Sequence, residues 1–175
     1  MDHFEVDSVL KTFRIIADTR EQRTSRAAER FEAFGCPVER ATLSYGDYAA
    51  NATMPDGKDL VDVKETIKAP CVVERKMSLD ELAMCFTRGR DRFEREFGQA
   101  RESGARVYLL VENASWEKLM NHRYRSALNP KAFLASMTAW VARYELIPIF
   151  VKAESSGKMI REILYRELKE RLRDG

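Results

Sequence analysis

Charged residues crowd the ends of three apolar runs, and chemistry is to be sought there. Phe13 to Ala17 ends in Asp18-Thr19-Arg20-Glu21, Cys71-Val72-Val73 runs into Glu74-Arg75-Lys76, and Gly46-Asp47 interrupts a loosely alternating stretch. Side chains alternate across a strand, so Glu74 and Lys76 share one face and Arg75 takes the other. A glycine before Asp47 lets the backbone kink and aim the next side chain. Asp18, Asp47 and Glu74 can then converge with Lys76. Hard carboxylate oxygens suit Mg²⁺ or Mn²⁺, which offsets their mutual repulsion and keeps positions open for water and phosphate oxygens. The chemistry this set would do is phosphodiester hydrolysis, with Lys76 orienting the water or helping to deprotonate it.

The elements that must hold these residues are readable in outline. Phe13 to Ala17 predicts a buried strand. Thr24 or Ser25 caps a helix through Phe34, with Gly35 and Pro37 ending it. Val38 to Tyr45, Tyr48 to Met54 and Leu60 to Lys64 predict three strands around a Pro55-Asp56-Gly57 turn, with Asp47 at the break in an adjacent hairpin. Cys71 to Lys76 is a further strand. Ser78 caps a helical pattern over Asp80 to Glu102, whose stripe is Phe86, Phe93, Phe97 and Ala100. Arg106 to Glu112 is a strand, Ser115 caps a short helix to Met120, and Pro130 suits a first helical turn before a helix over Phe133 to Tyr144. Ile147 to Val151 is the last strand, and Lys158 to Arg173 an amphipathic helix whose apolar stripe packs on the core or on a partner. Strands interleaved with helices predict an α/β or α+β sandwich.

Composition narrows the class. The 175 residues are 45% hydrophobic and 33% charged, with 30 Lys+Arg against 28 Asp+Glu for a net charge of +2. This is enough chain for one domain over residues 1–175, burying roughly two thirds of its extended surface without disulfides. The apolar runs reach only four to six residues and the start is acidic, which predicts no membrane span, no signal peptide and an intracellular protein, cytoplasmic in a prokaryotic or phage setting. Cys36, Cys71 and Cys85 form no C-x-x-C pair and read as small buried hydrophobes. Two histidines, His3 and His122, supply histidine-based metal sites and Ser-His-Asp chemistry poorly. Neither Gly57-Lys58 nor Gly157-Lys158 completes a phosphate loop, so no nucleotide cofactor is expected. A literal P-D…D-x-K string, Pro55-Asp56 with Asp62-Val63-Lys64, falls on an exposed hairpin tip, a poor place to preorganise a metal.

Gly46-Asp47, Glu74-Arg75-Lys76 and Asp80 four residues beyond the lysine follow the order G-D…E-R-K-x-x-x-D. Here the sequence resembles the nuclease domain of the XPF-type structure-specific endonucleases, and Asp18-Thr19-Arg20-Glu21 is similar to that family's D-x-R-E. The likeness runs from Phe13 to Val151. Arg90-Asp91-Arg92-Phe93 is similar to its G-R-F helix start, but Glu96 and Gln99 straddle the place of the usual glutamine. The resemblance implies the P-D-(D/E)-x-K superfamily: a restriction-endonuclease-like three-layer α/β sandwich, its central mixed β-sheet flanked by helices, with Mg²⁺ or Mn²⁺ as cofactor and DNA as substrate. Carried over by position, Asp18, Asp47 and Glu74 become metal ligands and Lys76 catalytic. Glu21 and Asp80 rank second, and Arg20 and Arg75 touch phosphate or the network around it.

That family generally carries helix-hairpin-helix modules, and some members a helicase, for which this chain has no room. The expectation is a version of the stand-alone prokaryotic or phage kind. It would select flap, fork or junction DNA through its own surface, a homodimer or a DNA-targeting partner, in repair or recombination. A non-catalytic DNA-binding scaffold and a sequence-specific restriction-type nuclease are the alternative readings. Arg88, Arg92 and Arg95 form a stripe that either grips phosphate or pairs with Asp91, Glu94 and Glu96. Lys118, Arg123, Arg125 and Lys131 occur with no acid between them and with His122 and Tyr124 interleaved, as either a DNA-tracking surface or a solvated loop. The small net charge is then the sum of an acidic site and a basic surface.

Overall fold

The computed structural model describes residues 1–174. The chain opens with helix α1 (His3–Leu10), where Asp2 and Glu5 form a reciprocal capping box and Val6, Val9 and Leu10 are buried. Strand β1 (Arg14–Asp18) follows, then α2 (Ser25–Phe34), capped by Thr24 and closed by a left-handed Gly35. Next come β2 (Val38–Ala41), β3 (Tyr48–Asn51), β4 (Cys71–Lys76), α3 (Leu79–Phe86) and α4 (Arg90–Glu102). The chain ends with β5 (Arg106–Glu112), α5 (Trp116–Met120), α6 (Pro130–Tyr144), β6 (Ile147–Val151) and α7 (Ala153–Asp174).

The six strands form one mixed sheet in the order β2-β1-β3-β4-β5-β6. Only β3 runs against its neighbours, β1 and β4; the other pairs are parallel. Alternation along the strands builds a core on each face. Ile16, Val72, Leu109 and Val111 pack toward Phe86, Phe93, Phe97 and Trp140, while Ile15, Val73 and Leu110 pack toward Phe34, Ile160, Leu164 and Leu168. This is the expected three-layer α/β sandwich, and the stripe of α7 lies on the core.

The topology makes one edge of the sheet chemically rich. Because β1, β4 and β5 are mutually parallel and β3 opposes them, the carboxyl ends of the three meet the amino end of β3. Asp18, Glu74 to Lys76, Glu112 and Asp47 therefore come to the same edge.

Several elements differ from expectation. Strand β2 stops at Ala41, and it is no hairpin partner of β3, because β1 lies between them. Residues 60–64 form no strand: the Asn51 amide bonds both Val61 N and Val61 O, taking the place of a backbone ladder. The expected helix over 80–102 is two helices, broken where Thr87 turns back to Ala83 O and Gly89 lies under the Phe93 ring. The helical residues of α1 carry no element in the sequence reading, although the Asp2-x-x-Glu5 box signals one. Helix α7 begins at Ala153 and runs through Gly157, whose missing side chain lets it touch α2; a Cβ there would sit 2.8 Å from Arg30 O and from Ala33 Cβ. No helix among the described residues is long and apolar enough to cross a membrane.

Alanine normally stabilises a mid-helix glycine position by about 0.5–1 kcal/mol. At Gly157 the sign should reverse. Gly157→Ala is expected to destabilise by about 1–3 kcal/mol through overpacking against α2, read as a lower urea midpoint at unchanged slope.

Candidate active site

Asp47 is held by its backbone between two strands. Its N–H donates to Val73 O at 2.9 Å, and its carbonyl accepts from Asp18 N at 2.8 Å. Gly46 makes this possible, with φ at +76° and a position where a Cβ would fall 2.6 Å from Val72 Cβ. So placed, Asp47 Oδ2 accepts from Arg75 N at 2.7 Å. Glu74 lies beside it, buried, with Oε1 taking a very short contact from Lys76 Nζ. The lysine is itself buried, 4.4 Å over the Phe93 ring.

These groups line a cavity of about 680 Å³ together with Arg20, Glu21, Arg30, Arg75, Glu81, Arg92, Glu96 and Glu112. Burial, and then the neighbouring Glu74 charge, push the Asp47 carboxyl up to about 8, against the opposing pull of Lys76. Desolvation works to lower Lys76, but Glu74 and Asp47 outweigh it and hold the ammonium well above the usual lysine range. Burial, then Glu74, also raises Glu96. Six acids in the lining, Glu21, Asp47, Glu74, Glu81, Glu96 and Glu112, face six bases, Arg20, Arg26, Arg30, Arg75, Lys76 and Arg92, so the cavity is balanced in number and the repulsion is local to Asp47 and Glu74.

Behind Lys76 a second network faces the opposite side of β4. Arg75 reaches Glu112 at 3.3 Å and Glu21 at 3.6 Å, while Arg30 reaches Glu21 at 2.6 Å and donates to Tyr48 Oη at 3.0 Å. Arg75 Nε and Glu112 Oε1 are buried without a hydrogen-bond partner among the described residues, which leaves them open to a water, an ion or a ligand's polar group. Glu112 and Arg30 are absent from the sequence reading. Glu112 was findable by the strand-end rule that selects Glu74, and Arg30 by its place in the buried Ala27, Arg30, Phe34 stripe of α2.

Asp18 sits elsewhere than expected. Its Oδ1 accepts from Arg20 N at 2.8 Å and Arg20 Nε at 2.7 Å, and its Oδ2 accepts from Leu43 N at 2.7 Å. It lines no part of the cavity and ties the turn after β1 to the chain leaving β2. Among the described residues, no three His, Cys, Asp or Glu side chains are grouped to hold a metal. Of the three expected carboxylates, Asp47 and Glu74 line the cavity and Asp18 does not. Arg20 bridges Asp18 to Glu96 at 3.4 Å, and Glu21 lines the cavity. Asp80 turns away, accepting from Arg125 N and Ser126 N at 2.7 Å each. Asp56 and Asp62, from the literal P-D…D-x-K string, accept from Lys58 N and Lys64 N in exposed turns.

The family model for the ERCC4 domain matches residues 17–162, which include all of these positions. The chain belongs to the ERCC4 domain family. XPF from Aeropyrum pernix has a similar structure, with a TM-score of 0.61 and 23% identity over 92% of this chain and 67% of that one. The same protein in complex with DNA matches with a TM-score of 0.58 and 21% identity over 90% and 65% of the two chains. This ERCC4 domain thus spans about two thirds of that XPF chain and shares its fold, as the sequence resemblance predicts. A comparison with curated proteins finds no match.

The donor set of the ERCC4 domain fits a small hard cation. Asp47 Oδ1 and Glu74 Oε2 accept no hydrogen bond from the described residues. Mg²⁺ is commonly held by one or two carboxylates, with water and phosphate completing the shell, so two suffice. Of the basic residues, Arg92 stacks 4.4 Å over Phe93 and lines the cavity. Its contact with Glu96 is loose at 4.0 Å. Arg88 and Arg95 are exposed and lack ion-pair partners among the described residues, as are Arg123, Arg125 and Lys131. Glu94 serves Arg90 and Arg143 instead. Lys118 Nζ donates to Asn113 O at 2.8 Å.

The raised Asp47 has a sign that can be tested. Below about pH 4 the carboxyl is protonated in both folded and unfolded chains; between there and about pH 8 the folded chain binds the extra proton, so this group erodes stability as pH rises. In EDTA, Asp47→Asn should melt higher than the parent protein, by about 2–4 °C for each kcal/mol relieved. The gap should widen from pH 5 to pH 8 in calorimetric scans.

Proposed function

We propose that this ERCC4 domain is a Mg²⁺- or Mn²⁺-dependent DNA endonuclease that hydrolyses phosphodiester bonds. Its substrates are flap, fork or junction DNA, in repair or recombination. The observation that carries the reading is a half-buried Asp47 and a buried Glu74 with Lys76 in one open cavity at the carboxyl edge of the sheet.

A divalent cation held by the two carboxylates supplies neutralisation of the phosphodiester and a more acidic water. Asp47 Oδ2 is fixed by Arg75 N, so its other oxygen is presented to the cavity in one orientation. Lys76 is held as an ammonium at neutral pH chiefly by the Glu74 carboxylate beside it. As an ammonium it would donate, orienting water and stabilising charge developing on phosphate. Arg92 at the cavity rim offers an exposed guanidinium to a neighbouring phosphate. Asp18 contributes by holding Arg20 and the Leu43 backbone. The DNA complex of the XPF relative supports DNA as the substrate class.

The test is cleavage of labelled flap, fork, junction and linear DNAs with Mg²⁺ or Mn²⁺. Lys76→Ala and Asp47→Asn are each expected to lower the rate by about 10²-fold or more, and EDTA to abolish it. Cleavage that survives both substitutions or persists in EDTA would refute the assignment. DNA binding without cleavage under either metal would favour the scaffold reading.

A further inference from the structure

The loop between α5 and α6, residues 121–129, is more firmly built than its exposure requires. Arg123 N donates to Lys118 O at 2.8 Å, Tyr124 Oη donates to Leu128 O at 2.7 Å, and the His122 ring bonds Ser126 O at 3.0 Å. His122 takes the left-handed conformation at φ 52° and packs 4.5 Å from Tyr124, whose ring meets Phe133 edge-on. The side chains this scaffold exposes are basic. Arg123 and Arg125 reach solvent, and neither has an ion-pair partner among the described residues.

One carboxylate ties this loop to helix α3. Asp80, in the first turn of α3 and four residues beyond Lys76, accepts from both Arg125 N and Ser126 N through the single oxygen Oδ1. Two charge-assisted bonds to consecutive backbone amides fix a loop 45 residues away in sequence. Helix α3 is already capped by the Ser78 hydroxyl at Glu81 N, and Glu81 accepts from Met77 N. The Asp80 side chain is directed to the loop in addition.

We propose that Asp80 is a positioning residue that holds loop 121–129 as a preformed grip for the DNA backbone, with Arg123 and Arg125 as the phosphate contacts. This rests on DNA being the substrate, and it assigns the acid of the E-R-K-x-x-x-D pattern a part in binding instead of in metal chemistry. A loop ordered in advance loses less conformational entropy when its arginines meet phosphate. The loop aromatics fix its shape, and the arginines supply sequence-independent attraction.

The test measures affinity for a fluorescein-labelled fork DNA by anisotropy across a salt series in EDTA, where no cleavage is needed. Arg123→Ala with Arg125→Ala should flatten the plot of log affinity against log salt by up to about 1.8, from about 0.9 for each duplex phosphate lost. Asp80→Ala should flatten it by a similar amount, and all three changes together by little more. Asp80→Asn keeps an acceptor oxygen and should restore most of the slope. The proposal is overturned if Asp80→Ala keeps the parent slope, if Asp80→Asn loses as much as Asp80→Ala, or if the parent protein does not bind the fork. Failure of the nuclease reading looks different: no DNA is cut with either metal, while this binding pattern stands.

Discussion

Asp47 and Glu74 are like charges in one cavity, and the arrangement of the site follows from how that repulsion is borne. A single lysine between a carboxylate and an aromatic face offsets part of it, and Arg75 N offsets a little more. The remainder is held as a carboxyl pushed far above its normal range. The fold bears this because Asp47 is strapped by its backbone to β1 and β4, and Arg75 N holds one of its carboxylate oxygens. Gly46 is the enabling residue, since any side chain there would collide with Val72.

The opposite side of β4 is built on a different balance. Arg30 and Arg75 face Glu21 and Glu112, so positive and negative charges are matched. A buried balanced network adds little net stability, but it is stiff: losing one partner leaves another charge buried and exposed to the full cost of desolvation. Arg75 joins the two systems. Its backbone amide fixes Asp47 on one side and its guanidinium anchors the network on the other. The strand that carries Glu74 and Lys76 is in this way pinned against movement when charge or ligand in the cavity changes.

Local rules made much of this legible. Thr24, Ser78, Ser115 and Asn129 cap helices as short polar residues should, Pro130 falls in a first turn, and the buried strands coincide with their apolar runs. Gly46-Asp47 and Glu74-Arg75-Lys76 stood out because their chemistry is compressed into adjacent residues. What local rules could not supply was pairing. That β1 separates β2 from β3 depends on the α2 crossover, a long-range choice, and it alone decides that Asp47 meets the ends of β1 and β4. The strand expected over 60–64 failed because the Asn51 side chain offers the backbone an alternative partner. Asp18 looked equivalent to Asp47 by position, yet hydrogen bonds from Arg20 and Leu43 occupy both its oxygens, and only coordinates reveal which carboxylate is left open. The acidic site expected behind the near-zero net charge is instead matched within the cavity, where six acids face six bases, while Arg123 and Arg125 remain without ion-pair partners on exposed surface among the described residues.

Asp47 and Glu74, without Asp18, are the proposed cation site of this ERCC4 domain. The most direct measurement is anomalous diffraction from crystals equilibrated with Mn²⁺. The account predicts one Mn²⁺ peak in the cavity, in contact with both the Asp47 and Glu74 carboxylates, with Asp18 still bonded to Arg20 and Leu43. No peak at Mn²⁺ concentrations that saturate binding in solution, or a peak ligated by Asp18, would contradict it.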